Sequence, residues 1–171
     1  MSDSPHPHHT VDCHMVASDA EMLDHLDVRW DVFVLEQDVP MVMEIDGRDY
    51  LPSTLHLVAV AQGLDGTDTV VGAARLVADG TDSLGAQFHI GRVAVRQEWR
   101  GKGIGVALMQ AAEEVALAAA KRESSAQLTL ILDAQVAAEG FYARLGYTPT
   151  DTPTFYDAGI VHQEMSRHVL L

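Results

Sequence analysis

Arg100-Gly101-Lys102-Gly103-Ile104-Gly105 lies between an apolar, strand-like stretch at 88–95 and an amphipathic helical stretch that begins at Ile104. Three glycines in five residues let the backbone turn sharply and approach a ligand without side chains in the way. A helix beginning there offers unpaired N–H groups and the positive end of its dipole, a pairing that favours phosphate. The stretch therefore reads as a binding loop for a phosphorylated small molecule. A Walker-type loop requires Ser or Thr after its lysine, and here Gly103 follows Lys102. A dinucleotide loop, Gly-x-Gly-x-x-Gly, requires its third glycine where Val106 stands. It also requires an acidic ribose reader about 20 residues on, where this chain has Lys121 and Arg122. What remains is Arg-x-x-Gly-x-Gly.

Working outward, Ile104, Leu108, Ala111, Val115 and Ala118 recur at helical spacing and predict a helix over 104–120. Before the loop, short strands are expected at 11–17, 55–61, 69–78 and 88–95, with a turn at Gly63-Leu64-Asp65-Gly66. Ser18 reads as an N-cap with Glu21 at the capping-box position, opening a helix that runs to about Glu36. Pro40 ends it, and an acidic loop extends to about Ser53. After the loop come a buried-type strand at 128–132, a helix at 134–145 stopped by Gly146, and a last strand at 159–169. The order β-α-β-β-β-α-β-α-β, without repeat or linker, predicts an α/β (α+β) sandwich around a mixed, mostly antiparallel sheet. Residues 1–10, with Pro5, Pro7, His6, His8 and His9, are expected as a flexible tail, and 11–171 as a single domain. The three histidines lack a second cluster to complete a metal site.

At 171 residues and 47% hydrophobic content, the chain can bury a sizeable core. No apolar run approaches the roughly 18 to 20 residues that span a bilayer. Met1 to Thr10 lacks the basic start and apolar segment of a signal peptide, and the single cysteine, Cys13, suits a reducing compartment. A cytoplasmic protein is expected. A net charge of −14 repels phosphate backbones and argues against nucleic-acid binding, while it is compatible with cationic substrates or partners. An acidic surface is equally well explained as a solvation habit.

Two separated signatures resemble the GNAT acyltransferases. The first is Ile90-Gly91-Arg92-Val93-Ala94-Val95 followed by Arg96-Gln97-Glu98-Trp99 and the glycine loop; the second is Phe141-Tyr142-Ala143-Arg144-Leu145-Gly146-Tyr147. Nearer the amino terminus, Arg29-x-x-Val32-Phe33-Val34-x-Glu36-Gln37-x-Val39-Pro40, with Glu44, Asp46 and Asp49, is similar to the ElaA-like subgroup. The same acidic spacing, with Arg29, Phe33 and Arg75, also resembles acyl-homoserine lactone synthases, which generally lack the Arg-x-x-Gly-x-Gly loop. The resemblance implies the GNAT fold, with six to seven strands flanked by helices. It implies acetyl-CoA as co-substrate, no metal, and an amine acceptor on a small molecule or protein. Dimers are common in the family, and no segment of this chain specifies one.

Carried over by position, the resemblance implies that Val93, Ala94 and Val95 hold the pantetheine arm and thioester with their backbone groups. A strand amide there supplies the oxyanion donor. Arg100, Gly101, Lys102, Gly103, Ile104 and Gly105 contact the pyrophosphate. Tyr142 is the general acid that protonates the leaving thiolate, its phenol having an ordinary pKa of about 10. His89 is the candidate base, with a pKa of about 6.5 suited to neutral pH. By strand alternation it shares a face with Gly91, Val93 and Val95. Glu44, Asp46 and Asp49 compete for the base role, or bind the substrate's positive charge, or form a solvated loop with neither role. His56 is a weaker candidate for either task. Trp99 either shields the coenzyme or packs. Two other activities remain open: a signal synthase using acyl-carrier protein and S-adenosylmethionine, and a silent acyl-CoA-binding regulatory module.

Overall fold

The computed structural model describes residues 10–63, 66–81 and 85–171. The His6, His8 and His9 tail, and Leu64 and Asp65 of the expected turn, lie outside them. Eight strands form one sheet: β1 (Val11–Met15), β2 (Thr54–Gln62), β3 (Asp68–Thr81), β4 (Ala86–Val95), β5 (Gln127–Gln135), β6 (Thr148–Pro149), β7 (Phe155–Asp157) and β8 (Ile160–Leu170). Their order is β1-β2-β3-β4-β5-β8-β6, with β7 on β8. All neighbours are antiparallel except β4 and β5. The mixed, mostly antiparallel sheet matches expectation. Its count rises above six or seven because β6 and β7 are only two and three residues long, too short for a periodicity signal.

Each face of the sheet carries its own core. Leu57, Leu76, Phe88, Ile90, Leu130 and Leu132 pack beneath α3 (Ile104–Arg122). Val58, Val60, Val70, Ala73 and Ala94 pack beneath α1 (Asp19–Arg29), together with its Val28. In α3 the buried stripe is Ile104, Leu108, Met109, Ala112, Ala116 and Ala120, rotated from the expected one so that Ala118 is exposed. The small alanines let helix and sheet approach closely. So does Gly72, where an added Cβ would stand 2.8 Å from Leu108 Cδ1 and 3.2 Å from Ala94 O.

Ser18 caps α1 by accepting from the Glu21 amide at 3.2 Å. The expected single helix to Glu36 changes character after Arg29, where Trp30–Glu36 winds as a π-helix. The acidic loop is ordered into α2 (Met41–Glu44) and a 3₁₀ turn at Gly47–Tyr50. The 3₁₀ turn is closed by a capping box between Asp46 and Asp49. Downstream, β5 continues through Gln135, since Ala134 extends the buried alternation of Leu128, Leu130 and Leu132. Helix α4 (Glu139–Arg144) is correspondingly short, and Gly146 ends its last turn with φ near 90°. No described helix is long and apolar enough to cross a membrane.

Candidate active site

The site begins where two parallel strands part. β4 and β5 pair only from Ala86↔Leu128 to His89↔Ile131, yet β4 runs on to Val95 and β5 to Gln135. Beyond His89 the strands diverge, and the β5-facing edge of β4 is left without a ladder partner. A cleft of about 510 Å³ occupies this gap, with Val93, Ala94 and Val95 on one side and Tyr142 on another.

A bulge sets which way β4's side chains point. Ala73 pairs with Ala94 and Arg75 with Gly91, so Ala74 alone opposes Arg92 and Val93. Arg92 takes the extra position with φ near 54°. The insertion reverses the alternation: Phe88 and Ile90 face α3, and beyond the bulge Val93 and Val95 also pack on that side. His89 therefore does not share a face with Val93 and Val95 as simple alternation predicts. It projects toward the α1 side of the sheet, as do Arg75 on β3 and Asp133 on β5.

At the loop end, Gly101 and Gly103 adopt φ near 74° and 80°, and a Cβ at either would meet nothing within 4 Å. The glycines are required for backbone conformation and leave space above them. The first hydrogen bond recorded from α3 is donated by Ala107 to Gly103 O at 3.0 Å. The amides of Ile104, Gly105 and Val106 thus precede the helical ladder. Gly105 lies against Phe141, whose Cζ would be 3.3 Å from an added Cβ. The Arg100 side chain turns away from the loop. Its Nη1 and Nη2 donate to the two Glu36 oxygens at 2.6 Å each, and its Nε to Val95 O at 2.9 Å. Arg100 thus ties the π-helix to the end of β4. Lys102 Nζ sits 4.6 Å from the Trp99 ring centroid and donates to Glu98 O.

Tyr142 lies edge-on to Phe141 at 4.9 Å, and burial pushes its phenol up to about 12. It stays protonated at neutral pH, as a proton donor must. Across the gap, His89 Nε2 stands 3.4 Å from Asp133 Oδ2 and its Nδ1 3.8 Å from Asp79 Oδ2. The structure does not bring Tyr142 and His89 onto one face; they flank the gap from opposite sides.

Glu44 and Asp49 of the acidic loop are buried and Asp46 is partly so. Arg29, wholly buried, donates from Nε to Glu44 Oε1 at 2.6 Å and from Nη1 and Nη2 to Asp49 at 2.7 and 3.1 Å. Arg75 Nη1 reaches Asp46 Oδ1 at 2.8 Å and Asp49 Oδ1 at 3.0 Å. Arg92 Nε is 3.1 Å from Glu44 Oε2. Three arginines thus neutralise three carboxylates. Burial alone would raise Asp49, but hydrogen bonds and charge from Arg29 and Arg75 outweigh it and hold the group well below the usual carboxylate range. Glu44 goes the other way, raised by a burial that Arg92 and Arg29 do not fully offset. Glu44 and Asp46 line the cleft from within these pairs; Asp49 lies behind them. His56 is also structural: its Nδ1 is 3.2 Å from His25 Nε2 and its Nε2 3.1 Å from Asp49 O. Among the described residues no group of three or more His, Cys, Asp or Glu side chains is arranged to hold a metal ion.

The family model for the acetyltransferase (GNAT) domain matches residues 47–169. The chain belongs to the GNAT family. It is 36% identical over 155 residues to the uncharacterised N-acetyltransferase YjcF of Bacillus subtilis, covering 90% of this chain and 97% of that one. A solved acyl-CoA N-acyltransferase from Pseudomonas aeruginosa superposes with a TM-score of 0.68 at 32% identity, covering 93% and 99% of the two chains. Escherichia coli ElaA superposes with a TM-score of 0.70 at 25% identity, covering 92% and 99%. These likenesses place the chain among the ElaA-like GNAT proteins.

Sequence reasoning passed over Arg48, Arg92, Asp133 and His162 as site residues, all of which line the cleft of this GNAT protein. A signal existed for two of them. Arg92 and Asp133 are lone charges in otherwise apolar strands, and a charge there needs either a partner or a cleft.

Proposed function

We propose that this chain transfers an acetyl group from acetyl-CoA to a primary amine. The observation that carries the reading is the unpaired edge of β4 opening directly behind the glycine loop, with Tyr142 across the gap. The loop amides and Lys102 receive the pyrophosphate, and Arg100 braces the loop through Glu36. The pantetheine arm lies along Val93–Val95, and a strand amide donates to the thioester carbonyl as it becomes an oxyanion. The amine enters from the α1 side, where the His89 imidazole takes its proton. The amine nitrogen attacks the carbonyl carbon, the C–N bond forms, and the C–S bond breaks. The thiolate takes the Tyr142 hydroxyl proton on the opposite side. A proton acceptor and a donor on opposite faces of the gap match the direction of the transfer. Glu44 and Asp49 act as a buried scaffold, and Asp46 shapes the acceptor wall.

A titration with acetyl-CoA, run beside S-adenosylmethionine, tests this reading. Selective acetyl-CoA binding, followed by release of free thiol when an amine is added, is expected. Binding of S-adenosylmethionine alone would favour the synthase reading. Acetyl-CoA binding with no thiol release from any amine would leave a regulatory module.

A further inference from the structure

The whole chain carries 25 acidic residues against 11 lysines and arginines, so an unselected cleft would be strongly acidic. This one is balanced. Arg48, Arg75, Arg92 and Arg100 line it. So do four acids, Glu44, Asp46, Asp133 and Asp157. Four of the chain's eleven basic residues are thus concentrated in one cavity.

The internal pairs cancel most of this charge. Glu36 takes Arg100, and the trio Glu44, Asp46 and Asp49 takes Arg29, Arg75 and Arg92. Arg48 is exposed, and its guanidinium has no ion pair among the described residues, although its charge reaches Asp133 and helps hold that carboxyl below its usual range after the larger effect of His89. The Asp133 carboxylate has a single ion-pair contact among the described residues, from Oδ2 to His89 Nε2 at 3.4 Å. In the same wall, Arg75 is 95% buried, and its Nε is the one buried side-chain nitrogen or oxygen without a partner among the described residues. Unused hydrogen-bonding capacity on a buried guanidinium calls for an anion or a water. Above these charges stands an apolar rim, where Val42 is 79% and Met43 42% exposed.

We infer that the acceptor is a zwitterion, an α-amino acid with an apolar side chain. Its ammonium is held at Asp133 beside His89, its carboxylate lies on the Arg48 and Arg75 side, and its side chain rests on Val42 and Met43. The inference rests on the proposed acyl transfer and names the substrate class for that same site. It runs against the cationic acceptor that net charge suggests. Among the described lining residues, Arg48 is left as a cation outside the ion pairs, so a purely cationic polyamine or lysine-rich peptide would leave it unmatched, whereas a zwitterion meets it with its carboxylate and Asp133 with its ammonium.

The test measures binding by calorimetry to the full chain saturated with coenzyme A. The probes are L-leucine, L-methionine and L-phenylalanine, their amides, and spermidine, with acetyl-CoA binding measured on the same preparation. At least one free amino acid should bind about tenfold or more tighter than its amide, the size of one charge-assisted hydrogen bond. Arg48→Gln should bring acid and amide to near-equal affinity while leaving acetyl-CoA binding and the circular dichroism spectrum unchanged. Asp133→Asn should weaken both equally. Amides or spermidine binding as tightly as the acids, or a preference that survives Arg48→Gln, would overturn the inference. Acetyl-CoA binding without a carboxylate preference would overturn it and leave acyl transfer standing. A carboxylate preference without acetyl-CoA binding would overturn acyl transfer and the acceptor role with it, leaving an amino-acid-binding cleft, and binding of neither would overturn both.

Discussion

In the proposed reaction the loop end of the cleft acts through backbone, held by Gly101, Gly103 and the first turn of α3. The proposed acceptor end acts through side chains gathered from α1, α2, the 3₁₀ turn and three strands. The loop-end segment is contiguous, and its conformation follows from local rules for glycine and helix starts. The acceptor end depends on Arg29, Arg75 and Arg92 meeting carboxylates that lie up to 48 positions away in the chain. The first can lose function while the fold survives. The second ties function to stability, because its charges are buried and mutually dependent.

The largest expected effect tests that dependence. Arg29→Met removes the central cation and leaves Glu44 and Asp49 short of neutralisation in the interior. Breaking a buried pair from one side costs about 3–5 kcal/mol, so the denaturant midpoint should fall steeply. A midpoint equal to wild type would mean that the acceptor end is no more integral to the fold than the loop. Tyr142→Phe should cost about a hundredfold in kcat, roughly 3 kcal/mol, the lower range for loss of a general acid. Acetyl-CoA affinity and the unfolding midpoint should be unchanged, because the ring and its contact with Phe141 remain. An unchanged kcat would remove the tyrosine from the chemistry.

Next comes the loop itself. Gly103→Val places a branched residue at φ near 80°, in the space left above the loop. Acetyl-CoA affinity should fall by roughly a hundredfold, about 2.7 kcal/mol. The strain of a branched residue at that φ lowers stability, but the Cβ meets nothing and the protein should still fold. Normal affinity in a folded Gly103→Val protein would mean that the coenzyme lies elsewhere.

How much could be read from sequence divides along the same line. The glycine loop, the strand before it and α3 were legible because each follows from spacing within a few residues, whereas Tyr142 was singled out only through the family resemblance. Glu44, Asp46 and Asp49 were visible as a pattern, but their pairing with arginines and the burial of Glu44 and Asp49 were not, since nothing local shows that Arg29 and Arg75 will be folded against them. His89 was found on the right strand and placed on the wrong face. The bulge at Arg92 is an extra residue in the pairing with β3, and a period-two reading of β4 alone has no means of detecting it. The late start of the expected helix at 134–145 has the same origin, since only packing beneath α3 shows that Ala134 belongs to a strand.

The smallest effect probes the acceptor end through pH. His25 is fully buried, with Nδ1 3.1 Å from Leu57 O and Nε2 within 3.4 Å of Arg29 Nη1 and 3.2 Å of His56 Nδ1. Burial, then the charges of Arg29 and His56, lower its pKa to about 3, while Leu57 O and Asp49 oppose the shift more weakly. The unfolded chain, with a pKa of about 6.5, binds a proton there well before the folded one does. Stability from this group is therefore complete above about pH 6.5 and is lost as pH falls toward 3. Between pH 7 and 5 the loss is about 2 kcal/mol, and His56, also lowered chiefly by burial, adds to it in the same direction. His25→Gln, unable to titrate, should flatten that slope, measured as unfolding free energy against pH, even if it lowers stability throughout. An unchanged slope would assign the acid sensitivity to other groups and leave the histidine pair a neutral spacer beneath the arginine cluster.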